Sequence, residues 1–468
     1  MKFLIKVPFS SLIFVFLCFA VCLSAFGNAG PTFWQGYPTT EMLVIDENCP
    51  IVIERENLVF DLRGDHSSEH TIKGRVAASY QMKNPLGEAV SVQMAFPFVS
   101  SLNSFSTADT VIEADGETLP FDMYIGDALH GHGRQSQGDM EAGLAFEEVV
   151  GTITRLPYAP KSFTVNEKAK LYQIEAVPTT DQGINLAVDF TYDSDKTRVL
   201  VGGFNRFERD EGKVRIAAWC YSPEVLEIIV LGDDLDFDIT VYADGQLKEK
   251  TDRYSYEVVT KEMELMPYLM EYVERKTPKI VEEFHGQQLY NLYAASVDRD
   301  LLYNKGFCIY SDLLQQNHQE RVLTALYTVD FPADSYREVA VGYEITGTMD
   351  RTQTLEPIYT FNYILNPAEN WGGFRDLNIE IYTSDDSPHI LESNIKLEKK
   401  GNGYYTASME ALPDTDFVFS THANERVHAL DKVQIFFHNV SWFFVFFGIP
   451  VLVIIVVAAI IYKNYREL

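Results

Sequence analysis

VAASYQMKNPLGEAVSVQMAFPF, residues 76 to 98, is the stretch from which the fold is read. Val76, Ala78, Tyr80 and Met82 alternate with smaller or polar residues, and Val90, Val92, Met94, Phe96 and Phe98 alternate again after a break. A period of two places each set on one face of a strand. Between them Asn84-Pro85-Leu86-Gly87 supplies turn chemistry, because Pro presets φ, Gly tolerates positive φ and Asn bonds to its own backbone. The stretch predicts an antiparallel hairpin with one face on a core.

The same pattern extends outward. Strands are expected at residues 51–62, at 111–124 folded about Asp115-Gly116, at 171–177, 184–192 and 214–221. RVLTALYTVDFPADSYREVAVGYEI, from Arg321, repeats the hairpin pattern with Leu323, Tyr327, Val329 and Phe331 on one arm and Val339, Val341, Tyr343 and Ile345 on the other. Further strands are expected at 359–365, 377–382, and 394–397 with 404–409 around Gly401-Asn402-Gly403. Helical spacing is confined to residues 265–304, where Pro267 and Pro278 fit first-turn positions and Thr277 is placed as an N-cap,. The fold class expected is mainly β: two β-sandwich-like domains, 30–253 and 311–430, with a helical connector or insert at 254–310 between them.

Both ends of the chain are apolar. Lys2 and Lys6 precede the run Phe9 to Phe26, which leads into small residues at Gly27 to Gly30. That is the layout of a secretory signal peptide over residues 1–29. Cleavage after Gly27 or Ala29 fits. At the other end WFFVFFGIPVLVIIVVAAIIY, residues 442–462, carries no charge and as a helix reaches about 31 Å, enough for one membrane span. Lys463 and Arg466 follow in the tail 463–468, so the C-terminus is expected in the cytoplasm. The expected location is the cell membrane, single-pass with the N-terminus outside, in a bacterium.

Composition narrows the function. The 468 residues carry 38 Lys and Arg against 67 Asp and Glu, a net charge of −29. That field repels polyanions, so nucleic acid is not an expected partner. Without the leader the cysteines are Cys49, Cys220 and Cys308, too few for a disulfide framework. Whether two of them pair is open at this level. Asp234, Asp236 and Asp238 alternate with Leu235, Phe237 and Ile239, the pattern of a solvated strand face. No glycine follows at the position an EF-hand loop requires.

Motifs for chemistry are sparse. Ser136 within Arg134 to Gly138, and Ser393 with Lys396, lack the companions of hydrolase nucleophile motifs,. HGHGRQ, residues 130–135, places His130 and His132 two apart, a spacing that suits zinc when the pair lies on one strand,. Asp127, Asp139 or Glu141 would offer a third ligand. The interleaved glycines give no fixed facing, so a surface loop without metal is expected, and no cofactor is.

The arrangement resembles that of uncharacterised bacterial cell-surface proteins with a signal peptide, a β-rich ectodomain and a terminal membrane helix. The resemblance rests on Tyr80, Asn84-Pro85, Val90, Val92, Phe96-Pro97 and Trp371-Gly372-Gly373-Phe374. It implies architecture and carries over no functional residue. The function expected is a membrane-anchored extracellular binding or structural protein that meets cell-wall polymer or another membrane protein. Catalysis is not the leading expectation. The alternatives are a surface hydrolase using carboxylates, or a metal at His130 and His132, and an accessory subunit of a transporter or sensor.

Overall fold

The structure, a computed structural model, describes residues 29–35, 42–46, 48–64, 71–128, 149, 151–210, 212–351, 354 and 356–427. The expected leader before Ala29, the pair His130 and His132 with Ser136, the membrane run 442–462 and the tail 463–468 lie outside the described residues. No helix among the described residues is long and apolar enough to cross a membrane.

The chain is mainly β. Its first strands are β1 Gly30–Gln35, β2 Met42–Ile45, β3 Val52–Asp61, β4 Lys73–Lys83, β5 Val90–Ser100, β6 Val111–Ala114, β7 Glu117–Thr118 and β8 Asp122–Ala128. A second group comprises β9 Lys168–Pro178, β10 Ile184–Thr191, β11 Thr197–Gly202, β12 Arg206–Asp210, β13 Lys213–Cys220, β14 Glu224–Gly232, β15 Phe237–Tyr242 and β16 Tyr254–Glu264. Three helices follow: α1 Leu265–Lys276, α2 Pro278–Glu283 and α3 Gly286–Tyr303. After β17 Phe307–Ile309 come β18 Arg321–Phe331, β19 Tyr336–Thr346, β20 Thr348–Asp350 and β21 Ile358–Tyr363. The last are β22 Gly373–Phe374, β23 Leu377–Tyr382, β24 His389–Ser393, β25 Glu398–Gly401, β26 Tyr404–Met409 and β27 Phe417–His422.

Neither expected hairpin forms. β4 pairs with β3 and β19, whereas β5 pairs with β1 and β18. Residues 84–89 therefore carry the chain from one sheet to another, and residues 332–335 do the same between β18 and β19. The reason is physical: alternation specifies which face of a strand meets the core but not which strand lies beside it. Tyr80 and Met82 face the same interior as Met94 and Phe96, all buried, whether the connection turns within a layer or arches between two.

The two arches lie side by side and are joined by Asn84. Its backbone N–H donates to Ser335 O at 2.9 Å, and Asp334 N–H donates to Leu86 O at 2.8 Å. The side-chain amide donates to the carbonyls of Glu88 at 2.8 Å, Phe331 at 3.3 Å and Pro332 at 2.9 Å. Its oxygen accepts from Leu86 N–H at 3.0 Å. The residue is fully buried, so its polar groups have to be satisfied by protein.

The expected division at residues 253 and 311 is thereby corrected. One β body combines strands from both ends of the chain. Its long sheet runs β25-β26-β23-β3-β4-β19-β6-β7 with β22 beside β3, and two smaller sheets, β2-β1-β5-β18-β8 and β20-β21-β27-β24, complete it. Phe96 and Phe98 of the first small sheet meet Tyr343 of the long one, and Phe60 of the long sheet meets Phe417 and Phe419 of the other. β23 lies parallel to β3, a pairing between segments more than 300 residues apart that no local pattern signals.

The second β body, continuous in sequence, is inserted between β8 and β18. It packs the sheet β16-β9-β14-β11-β17 on the sheet β12-β13-β10-β15, with Ile174, Val201, Leu226 and Ile228 of one meeting Leu186, Val188 and Ile216 of the other. Residues 254–264, expected within the helical connector, are the edge strand β16. The helices cover the back of this body: Leu269 and Val273 of α1 and Leu289, Tyr293 and Val297 of α3 share a core with Leu171, Leu200 and Ile229. Pro278 occupies the first turn of α2 as expected, but Thr277 makes no side-chain cap; its hydroxyl donates to Val273 O. At the same junction the buried Glu227 carboxylate accepts from Tyr268 at 2.7 Å, from Gln173 at 2.8 Å and from Tyr310.

Candidate functional site

The outer face of the sheet β12-β13-β10-β15 carries a groove of about 460 Å³. Strand alternation builds it. Val188, Phe190, Val214 and Ile216 point into the core and are buried, so Asp189, Thr191, Lys213 and Arg215 between them point out. Cross-strand register then aligns one row over four strands: Asp238 opposite Asp189, Asp189 opposite Arg215, and Arg215 opposite Glu208. Asp236, Asp210 and Arg209 complete the charged lining.

The loop after β15 lies on the same outer face, beyond the Asp189–Arg215 pair. Asp244 accepts from the backbone N–H groups of Gln246, Lys248 and Glu249 and folds the loop back, so that Leu247 packs on Ala187, Ala217 and Tyr242. Arg206 ties the same loop down, donating to Gly245 O at 2.6 Å while it pairs with Glu208.

Within the groove the charges are unequal in availability. Arg215 engages both oxygens of Asp189, at 2.6 and 3.0 Å, and Asp189 raises the pKa of the guanidinium. Both partners are about a third exposed, so the pair adds no more than about 1 kcal/mol to stability; its role is to fix the geometry of the floor. Asp236 and Asp238 are exposed and enter no ion pair among the described residues. The expectation of a solvated face holds for these two. Asp234 departs from it: its carboxylate takes the Lys170 ammonium and the Tyr172 hydroxyl instead, and those bonds lower its pKa although burial opposes them.

Cys49, Cys220 and Cys308 are all free and buried, and burial pushes the thiols of Cys49 and Cys220 up to about 11. Ser393 closes a local turn with Ile395. Among the described residues no three His, Cys, Asp or Glu side chains are grouped to hold a metal. A second trough, of about 380 Å³, on the long sheet is lined by Arg55, Asn57, Ser79, Gln81 and Arg337. Sequence reading missed the groove because Asp189, Glu208 and Arg215 come from three strands. The only trace was a charge at every second position of Arg206-Phe207-Glu208-Arg209-Asp210 and of Lys213-Val214-Arg215.

No protein-family model and no curated protein matches the chain. Among solved structures it is similar to a Legionella pneumophila protein described as a "putative nutrient binding protein". That match has 9% identity and a TM-score of 0.32, and covers 85% of this chain and 71% of the other.

Proposed function

We propose that the chain is a single-pass membrane protein whose β bodies lie outside the cell, and that the groove on β12, β13, β10 and β15 binds a ligand bearing amine groups. Amino-sugar units of a cell-wall polymer have that chemistry, as do basic segments of a partner protein. The placement is supported by the leader-like run before Ala29 and by the charge-free run 442–462 with Lys463 and Arg466 behind it. The ligand class rests on one observation. Five carboxylates, Asp189, Glu208, Asp210, Asp236 and Asp238, line the groove against three cations, Arg209, Lys213 and Arg215, and Asp236 and Asp238 are left unengaged.

Hydrolysis by a carboxylate pair is the weaker reading. Asp189 and Asp238 stand directly across β10 and β15, but Arg215 occupies both Asp189 oxygens, which leaves neither free to pass a proton. The test is a titration of the purified chain with glucosamine oligomers and with their N-acetylated counterparts. Binding of the amine form alone is expected, weakened about ten-fold by Asp236→Asn with Asp238→Asn, as two exposed charge contacts imply. Unchanged binding by that variant, or equal binding of both oligomers, would remove the groove from the account.

A further inference from the structure

The edge strand β16 is eleven residues long and exposed along most of its length. It pairs with β9 on one side and, among the described residues, ends its sheet on the other, so half of its backbone N–H and C=O groups face outward with no described strand to receive them. Long edges of this kind are usually blunted by a bulge, a proline or charged side chains; β16 carries Glu257, Lys261, Glu262 and Glu264, so any strand that pairs with it has to match those charges. β16 has no proline and pairs with β9 in unbroken register from Tyr254 to Glu264.

From this edge we propose that two copies of the chain join, β16 against β16 in antiparallel order, with Val259 of each copy on the two-fold axis. The register follows from the sequence. Outward-pointing backbone groups recur at every second residue, so a two-fold pairing of identical strands must place a residue, not a peptide bond, on the axis. An axis at Glu257, Lys261 or Glu262 sets like charges against each other. An axis at Val258 faces Glu257 with Val259 and Lys261 with Ser255, and one at Thr260 faces Lys261 with Val259. Val259 is the centre of the strand, so all eleven residues find partners, and Glu257 meets Lys261 of the second copy twice.

The charge on the edge independently asks for that cation. Glu257 stands directly across from Glu175 of β9, a like-charge cross-strand contact that is destabilising. Neither makes an ion pair among the described residues. Lys261 of a second copy lands opposite Glu257, on the face that both glutamates share. On the other face Tyr254 and Tyr256, stacked at 6.0 Å, come opposite Glu264 and Glu262 of the second copy, where phenol hydroxyls donate to carboxylates. Tyr256 and Val258, 42% and 37% exposed, are covered by the junction.

Cross-linking reads the register directly. The three thiols among the described residues are buried, so in the purified full chain with Cys18 and Cys22 replaced by Ser, Val259→Cys should close a disulfide between copies under mild oxidation, while Ser255→Cys, which faces Met263, should remain monomeric on denaturing gels. By sedimentation, Glu257→Lys and Lys261→Glu should each weaken the dimer by roughly thirty-fold or more, two contacts of about 1 kcal/mol being lost and replaced by like-charge repulsion. The two changes together should restore it, which a merely misfolded variant would not do. A monomeric chain at tens of micromolar, equal cross-linking at both positions, or a dimer indifferent to charge reversal overturns the proposal.

Discussion

Replacing Asn84 by Ala tests the arch that carries the chain between sheets. The substitution removes four side-chain hydrogen bonds, three donated by the amide and one accepted from Leu86 N–H. Each such bond contributes about 1 kcal/mol net, and more where the abandoned partner stays dry. The Phe331 carbonyl is buried and the other three contacts are partly buried, so water recovers part of the loss. The expected cost is about 3 kcal/mol, which lowers the melting temperature of a body of this size by about 6–12 °C. Asn84→Asp adds a second signature. At neutral pH its carboxylate has no hydrogen to donate and faces three carbonyl oxygens. Burial and those dipoles raise its folded pKa above the unfolded value, so protonation favours the native state. The deficit should be full at pH 7 and shrink as the pH falls through the folded pKa. Calorimetry and urea titration would measure both. In an ordinary hairpin Asn84 would sit in a solvated turn, and a cost of Asn84→Ala below 0.5 kcal/mol, the surface value, would refute the arch.

Two further outcomes follow from named groups. Because burial holds the thiols of Cys49 and Cys220 near 11 and encloses Cys308, an alkylating reagent at pH 8 should label none of these three in the folded chain and all three in denaturant; rapid labelling of any while folded would contradict the packing. Asp298 of α3 is buried; its oxygens accept from Tyr158, Lys161 and Ser162, and although burial alone would raise its pKa, those bonds lower it. A depressed carboxylate contributes stability above its unfolded value of about 3.9 that is lost as pH falls through the folded pKa. Asp298→Asn should therefore be less stable at pH 7 and lose less on acidification to pH 3, and parallel pH curves for the two proteins would exclude this role.

Much of the local structure was legible. Leu377–Tyr382 matches its expected strand, the helices fall within 265–304, and Asp115 and Gly116 take the positive φ values, 51° and 80°, that the β6–β7 turn demands. Pairing was not legible. The faces of β4 and β5 are correct while their partners are not, since both strands face one interior and the choice between hairpin and arch is made by Asn84, Ser335 and the strands beyond them. β16 carries little strand signal because only Tyr254, Tyr256 and Val258 alternate on its inner face, and its outer positions mix Ser, Glu, Val and Lys. The groove was invisible for the same reason: its acids and its arginine are cross-strand neighbours, and register belongs to the sheet.

The proposed function requires the β bodies to lie outside the cell, and protease treatment of intact cells tests that directly. With a tag after Leu468, the expected result is loss of nearly all the mass and survival of a short tagged fragment containing residues 442–468. A digested tag beside an untouched body would contradict the orientation, and with it a groove turned toward extracellular ligands.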